Sequence, residues 1–199
     1  MDESTPSDRH VDSPPSDWVT QWSHLLAPGG TVLDIACGSG RHMQWFAQRG
    51  NPATGVDRSP EAVAAAAAFG ESLQADLESD PWPLMRGSQV RQFSAVVVTN
   101  YMWRPLFPVI VQSVAPGGLL LYETFSQGHE SVGRPSRPDF LLRPAELLSA
   151  FGNMRVVAFE EGFLPSPARF VQRIAAVQPA ELQAADVRPA RYPLHVEAQ

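Results

Sequence analysis

The stretch TVLDIACGSGRH, residues 31–42, contains a buried strand, a glycine turn and the start of a helix. Residues 31–36 are largely apolar and lack the alternation of a half-exposed strand, so we expect both faces to be covered, as in a parallel sheet. Gly38 and Gly40 have no Cβ atom and leave the main chain open to a ligand at the turn. The N–H groups that begin the next helix favour negative charge there. The stretch therefore predicts a ligand site beside the turn.

Strand and helix patterns alternate along the rest of the chain. Further strands are predicted at residues 53–57, 72–76, 93–99, 119–125, 155–160 and 169–177. Helices are predicted at residues 18–26, 41–49, 60–69, 105–115 and 144–151. A helix and a strand about every 20 to 25 residues favour right-handed βαβ crossovers. The predicted fold is α/β, a doubly wound Rossmann-like sheet in a three-layer αβα arrangement.

Length and composition favour one domain. The chain has 199 residues, of which 44% are hydrophobic, enough for one sizeable core. We expect the domain to span residues 16–178. Residues 1–15 are acidic and rich in proline and serine, so we expect them to be disordered. Residues 179–199 show little apolar periodicity and are predicted to form a peripheral tail.

Charge and cysteine content exclude several function classes. The basic residues are fifteen arginines without a lysine, which excludes Schiff-base chemistry on lysine. The formal net charge of −6 disfavours general binding of nucleic acid. The single cysteine, Cys37, rules out an internal disulfide and favours a reducing, cytoplasmic setting. The N-terminal residues do not resemble a signal peptide, and no apolar run is long enough to span a membrane.

Polar residues follow four of the predicted strands. Asp34 and the glycines come at the end of the first strand, and Asp57, Asp76 and Asn100 end the next three. In a doubly wound sheet, ligands bind beyond the carboxyl ends of the strands near the switch point. These side chains are therefore expected to meet at one edge of the sheet.

Five segments in this order resemble the motif series of class I S-adenosylmethionine-dependent methyltransferases. They are LDIACGSG (33–40), GVD (55–57), QADL (74–77), TNYMW (99–103) and APGGLLLYETF (115–125). The resemblance implies a seven-stranded sheet with an antiparallel last strand and S-adenosylmethionine as cofactor. The size of the chain is similar to that of small-molecule members of the family such as the tellurite-resistance type.

The resemblance also implies a set of cofactor-binding residues. Gly38 and Gly40 would lie against the methionine part of the cofactor, with Asp34 near its cationic end. Asp57 would accept hydrogen bonds from the ribose hydroxyls. The remaining positions that it implies are Asp76 and Leu77 at the adenine and Asn100 between cofactor and acceptor.

Other residues are candidates for acceptor binding and catalysis. Glu123 and His129 are candidate general bases. Tyr101 is a candidate catalytic residue that the resemblance places, with Asn100, between cofactor and acceptor. Candidate acceptor-binding residues are Trp103, Arg104, Tyr122, Arg134 and Arg137. The arginines suit an anionic acceptor, although solvated loop arginines, a surface histidine and a hydrogen-bonded strand-end glutamate are alternatives. No metal site is predicted.

We therefore expect direct in-line transfer of a methyl group to a small molecule, by a monomer or homodimer. A nicotinamide dehydrogenase would need a third glycine where Met43 stands. Nucleic-acid methylation is an alternative, disfavoured because Asn100-Tyr101-Met102-Trp103 departs from the D/N-P-P-Y/F motif of those enzymes. A cofactor-binding sensor or partner protein without turnover is another alternative.

Overall fold

The computed structural model describes residues 13–180 and 190–194. Nine strands follow in chain order: β1 (Val32–Ile35), β2 (Ala53–Asp57), β3 (Gly70–Gln74), β4 (Met85–Arg86), β5 (Gln89–Val90), β6 (Phe93–Thr99), β7 (Val114–Phe125), β8 (Arg155–Pro165) and β9 (Ala168–Val177). The helices are α1 (Asp17–Trp22), α2 (Arg41–Ala47), α3 (Pro60–Ala66), α4 (Phe107–Ser113) and α5 (Glu146–Ala150). Four short 3₁₀ helices cover Ser23–Leu25, Arg104–Leu106, His129–Ser131 and Pro138–Phe140.

Seven strands form one sheet in the order β3-β2-β1-β6-β7-β9-β8. The strands β3, β2, β1, β6 and β7 are parallel, and β9 runs antiparallel to both β7 and β8. The predicted seven-stranded sheet with an antiparallel last strand is thus confirmed. The order reverses direction between β1 and β6, which places the switch point next to the glycine turn.

Alternate residues of the central strands face two separate hydrophobic layers. On one face, Leu33 and Val96 join side chains of α4 and α5 in the larger cluster. On the other face, Val32 and Val97 pack with Trp18 of α1 and side chains of α2. Because both faces are covered, the strands lack the alternation of polar and apolar residues of a half-exposed sheet, as the sequence predicts for a parallel sheet.

Serine side chains cap the starts of two helices. The Ser16 hydroxyl accepts a hydrogen bond from the Trp18 N–H, and the Ser59 hydroxyl accepts one from the Ala62 N–H. Each cap satisfies a backbone donor that the helix itself leaves unpaired. These caps fix the starts of α1 and α3 beside the edge of the sheet where β1 and β2 end.

The structure shifts several predicted boundaries. The third strand begins at Gly70, two residues before the prediction, because it pairs there with Ala53. A Cβ at Gly70 would overlap the Ala53 carbonyl oxygen, so only glycine fits this close approach. The β4–β5 hairpin lies just beyond the proline-rich loop of residues 77–84 and has no counterpart among the predicted strands.

The predicted termini lie mostly outside the described residues. Residues 1–12, 181–189 and 195–199 are not described, so the expectations for a disordered N-terminal segment and a peripheral tail remain predictions. Across the described ranges, none of the helices has the length and apolar character needed to cross a bilayer.

Replacing Gly55 by alanine is expected to destabilise the fold. A Cβ at this position of β2 would overlap the Met43 sulfur and lie 2.7 Å from Cys37 Sγ. Overpacking of this kind costs about 1–3 kcal/mol in the free energy of unfolding, measured by urea denaturation. Gly162→Ala is the control, since no atom lies within 4 Å of its Cβ position in β8. Equal denaturation midpoints for the two variants would contradict this account.

Candidate functional site

Two adjoining cavities open at the carboxyl ends of β1, β2 and β6. The larger has a volume of about 630 Å³ and the smaller about 290 Å³. Ala36 and Tyr101 line both cavities, so the two spaces meet at these residues. The predicted convergence of polar strand ends occurs here: Asp57, Asp76 and Leu77 line the smaller cavity, and Gly38 and Asn100 line the larger one.

Asp57 ties the glycine turn to the start of α3. Its Oδ2 accepts a hydrogen bond of 2.9 Å from the Gly38 N–H, and its Oδ1 accepts one of 2.9 Å from the Ser59 N–H. A carboxylate has about four lone-pair positions, so each oxygen retains capacity to accept from a ligand. Asp57 therefore shapes the turn and also presents acceptors to the smaller cavity.

The two glycines of the turn have different roles. Gly38 has φ +54° and lines the larger cavity, and a Cβ built on it meets no atom within 4 Å. A side chain there would occupy space that is open to a ligand. Gly40 lines neither cavity. Its Cβ would lie 3.0 Å from Ala66, so Gly40 permits close packing of α2 against α3.

Asp34 lies beneath the larger cavity and does not line it. It is 1% exposed, and its Oδ2 lies 3.6 Å from Nδ1 of His42. The Nε2 of His42 accepts a hydrogen bond from the Ser16 N–H, so the ring proton of neutral His42 is on Nδ1, facing Asp34. The Oδ2 of Asp34 has no hydrogen-bond partner among the described residues. His42 lines the cavity, and its Nε2 anchors the start of α1.

Glu123 is enclosed by partners and lines neither cavity. It is 1% exposed, accepts a hydrogen bond of 3.1 Å from the Ser16 hydroxyl and one of 3.3 Å from Arg173. Arg169 lies 3.6 Å from its other side. The two arginines neutralise this carboxylate, and it borders neither ligand space. Glu123 is therefore a structural ion-pair partner, and we do not propose it as a general base.

Three of the candidate acceptor-binding residues support the scaffold. Tyr122 is fully buried, and its hydroxyl donates to the Tyr101 carbonyl at 3.0 Å. Burial raises the pKa of this phenol. Arg104 donates to Glu146 at 2.6 Å and to the Leu141 carbonyl at 2.9 Å, fastening α5 to the loop before it. Trp103 packs against the larger hydrophobic cluster and lines neither cavity.

His129 and Tyr101 remain candidates for contact with reactants. The His129 ring lines the larger cavity, stacks on Phe125 with centroids 4.2 Å apart, and places Nε2 3.0 Å from the Arg134 carbonyl oxygen. A carbonyl only accepts, so Nε2 carries the proton and Nδ1 is free to accept. Within the described part of the chain neither His129 Nδ1 nor the Tyr101 hydroxyl has a hydrogen-bond partner.

The Tyr101 hydroxyl stays protonated. Burial raises its pKa, and the nearby carboxylates of Glu78 and Asp76 raise it further. The group can therefore donate a hydrogen bond where the two cavities meet, and it cannot act as a base near neutral pH.

Arginines line the larger cavity in a pattern that sequence analysis found only in part. Of the two loop arginines that are candidates for acceptor binding, Arg134 lines this cavity, while Arg137 is exposed and pairs with Asp139 at 3.3 Å outside it. Arg41 and Arg169 also line the cavity and were not among the candidates. Arg41 directly follows the glycine turn, a position that could have identified it, whereas nothing local marks Arg169. Among the described residues, no cluster of histidine, cysteine and carboxylate side chains could hold a metal ion.

Comparison with known proteins agrees with this geometry. A family model described as a methyltransferase domain matches residues 32–118. The ubiquinone biosynthesis O-methyltransferase of Azoarcus sp. (strain BH72) is 25% identical over 122 residues, covering 58% of this chain and 52% of that protein. The chain thus spans about half the length of this curated relative.

Solved methyltransferase structures share the fold. TehB from Haemophilus influenzae superposes with a TM-score of 0.61 at 17% identity, covering 78% of this chain and 59% of that chain. A SAM-dependent methyltransferase from Methanosarcina mazei gives a TM-score of 0.63 at 16% identity, covering 85% and 100%. The matched residues 32–118 include the glycine turn and the strand ends that border both cavities, so the chain is similar to S-adenosylmethionine-dependent methyltransferases at this site and shares their fold.

Proposed function

We propose that this chain transfers a methyl group from S-adenosylmethionine to a small-molecule acceptor. The observation that carries the proposal is the pair of joined cavities at the switch point, one lined by strand-end carboxylates and the other by the glycine turn. The smaller suits a nucleoside, and the larger extends well beyond the turn. Their meeting point at Tyr101 is where a transferable group would pass from one ligand to the other.

The residues present fit the cofactor. Asp57 has spare acceptor capacity for ribose hydroxyls, and Asp76 with Leu77 lies further along the same cavity for the adenine. Gly38 leaves main chain exposed for the methionine part. Arg41 follows the turn and lines the larger cavity, so its guanidinium suits the methionine carboxylate. The net negative lining of the smaller cavity also suits a cofactor with a cationic sulfonium.

The bound cofactor supplies a methyl group whose bond to sulfur breaks as the bond to the acceptor forms, leaving S-adenosylhomocysteine. The positive charge of the sulfonium disappears during this step. The chain therefore contributes by aligning the two reactants and by excluding water. Tyr101 borders both ligands and can donate a hydrogen bond. Asn100, held at φ +55°, faces the larger cavity beside it.

A protonated acceptor must lose its proton, and His129 is the residue we propose to accept it. The Arg134 carbonyl fixes the tautomer with Nδ1 unprotonated, and the ring lies against the cavity. An acceptor that arrives as an anion at the reacting atom needs no base.

The volume of the larger cavity favours a small acceptor. A volume of about 630 Å³ lies within the usual range of ligand pockets, about 300–1,000 Å³. The Azoarcus relative is named for O-methylation in ubiquinone biosynthesis, which also supports a small-molecule acceptor.

Formation of S-adenosylhomocysteine tests the function. The purified chain with S-adenosylmethionine and a pool of small metabolites is expected to give this product, and chains of RNA or DNA are expected to give none. Tight cofactor binding without product from any pool would instead identify a sensor or partner protein. Product from RNA or DNA alone would contradict the proposal.

Replacing Asp57 by alanine is expected to weaken cofactor binding by about ten- to a hundred-fold, as for loss of hydrogen bonds to a charged acceptor. Isothermal titration calorimetry with S-adenosylmethionine measures the change. Asp17→Asn serves as the control because Asp17 is an exposed carboxylate that lines neither cavity. An unchanged affinity in Asp57→Ala would rule out its assigned role.

His129→Gln is expected to lower kcat by about a hundred-fold or more with a protonated acceptor, in line with general base catalysis. Cofactor affinity should change much less than kcat, since the nucleoside part would lie in the smaller cavity, which His129 does not line. His24→Gln, at a histidine outside both cavities, is the matched control. The role fails if kcat is retained while KM rises, because that result indicates binding alone.

Cys37 is expected to take no chemical part. Burial raises the pKa of its thiol, and the carboxylates of Asp34 and Asp57 raise it further, so little thiolate exists near neutral pH. At pH 8 its reaction with a thiol reagent should be at least about 100-fold slower in the folded chain than in urea. The chain has one cysteine, so the signal is unambiguous. Rapid labelling of Cys37 would contradict this expectation. Loss of methyl transfer in Cys37→Ala with unchanged cofactor affinity would also contradict it, and would indicate that the methyl group passes through the Cys37 sulfur.

A further inference from the structure

The larger cavity carries a charge opposite to that of the whole chain. The formal net charge is −6, yet the described residues that line this cavity include three arginines and no aspartate or glutamate. The arginines are Arg41, Arg134 and Arg169. The smaller cavity has the reverse pattern and is lined by Asp57, Asp76, Glu78 and Arg58. The lining therefore changes from acidic to basic across Tyr101, and the basic side favours an anionic ligand.

None of the three guanidinium groups donates a hydrogen bond to a carboxylate of the described residues. Arg41 donates to two neutral oxygens, the Pro14 carbonyl at 3.1 Å and the Thr99 hydroxyl at 3.5 Å. The side chain of Arg134 is exposed and makes no polar contact within the described ranges. These donors are available to a ligand.

Arg169 is the most confined of the three. Its side chain is 22% exposed, and its Nε is buried without an acceptor in the described structure. Its contact with Glu123, at 3.6 Å, is to a carboxylate that also receives a hydrogen bond from Arg173. A buried donor without a partner costs about 1–3 kcal/mol, which an added acceptor would recover.

Carboxylates and arginines both act on Arg41. Burial lowers the pKa of Arg41, the carboxylates of Asp34 and Glu123 oppose this shift, and the charge of Arg169 adds a smaller lowering effect. The cofactor brings one carboxylate, which would lie with Arg41 beside the glycine turn. Arg134 then has no anion in the described structure. Arg169 shares the Glu123 carboxylate with Arg173 and keeps its Nε without an acceptor, so it can still bind a further anion.

We infer, on the basis of the proposed methyl transfer, that the acceptor carries an oxyanion that Arg169 and Arg134 bind. Arg169 is at the start of β9 and Arg134 is in the loop after β7, whereas the glycine turn follows β1. In the sheet β6 and β7 lie between β1 and β9, so the two arginines are on the wall opposite the turn.

A guanidinium group binds two oxygens of a carboxylate or phosphate with defined geometry. Anchoring the oxyanion on this wall would direct the rest of the acceptor toward Tyr101 and the cofactor. The anion positions the acceptor, and the methylated atom is a different atom of the same molecule.

The test uses the full chain saturated with S-adenosylhomocysteine and a panel of small ligands in matched pairs. Carboxylic acids are paired with their primary amides, and phosphate monoesters with the corresponding alcohols. Ligand-detected NMR gives the binding of each pair, and calorimetry first gives the affinity for S-adenosylhomocysteine. The variants are Arg169→Gln and Arg134→Gln, with Arg137→Gln as control because Arg137 is in the same loop and outside the cavity.

We expect the anionic member of each pair to bind more tightly than the neutral member. Comparison of the carboxylic acid series with the phosphate series identifies which oxyanion fits. Its affinity should fall about ten- to a hundred-fold in Arg169→Gln and Arg134→Gln and stay unchanged in Arg137→Gln. Unchanged affinity for S-adenosylhomocysteine in each variant shows that the fold is intact. Because the Arg134 side chain is exposed, Arg134→Gln carries little risk to folding.

Equal binding of neutral and anionic members, no binding of any member, or anion binding that survives both substitutions would overturn this inference and leave the proposed function standing. Failure of the wild-type chain to bind S-adenosylhomocysteine would instead overturn the proposed function itself.

Discussion

The ligand site depends on the two hydrogen bonds that the Asp57 carboxylate accepts. Its two oxygens accept hydrogen bonds from the Gly38 and Ser59 N–H groups, and so join the turn after β1 to the first turn of α3. Without this bridge, the main chain at Gly38 would lack the partner that holds it in its φ +54° conformation. The same oxygens border the smaller cavity, so one side chain both builds the site and faces its ligand.

A second polar network supports the larger cavity from below. Ser16 donates its N–H to His42 and its hydroxyl to Glu123, while Asp34 lies against the other nitrogen of His42. The start of α1 is thereby attached to α2 and β7. Buried polar groups are costly unless they are partnered, so these contacts favour one position of α1 over the cavity. Arg41 adds to this attachment by donating to the Pro14 carbonyl.

Local patterns predicted much of the fold. Strands without alternating polar residues and the order of strand-end residues depend on neighbours in the chain, and Asp57, Asp76 and Gly38 line the two cavities at the sheet edge where those patterns place them. Their contacts with the cofactor remain predictions. Glu123 illustrates the limit of such patterns, because its position at a strand end resembles that of a functional carboxylate. Its partners, Arg169 and Arg173, come from a strand that is about 50 residues away in sequence and adjacent in the sheet.

The sequence by itself determined the alternation of strands and helices, the glycine turn and the acids that follow successive strands, because each is a property of a short segment. Only the tertiary structure decided that Gly40 serves helix packing, that Asp34 faces His42, and that Arg41, Arg134 and Arg169 share one cavity. These relations arise where the antiparallel β9 and the loop after β7 come beside the parallel strands. Charge at such a site is the sum of groups distant in sequence, so it depends on packing and cannot be obtained from any one segment.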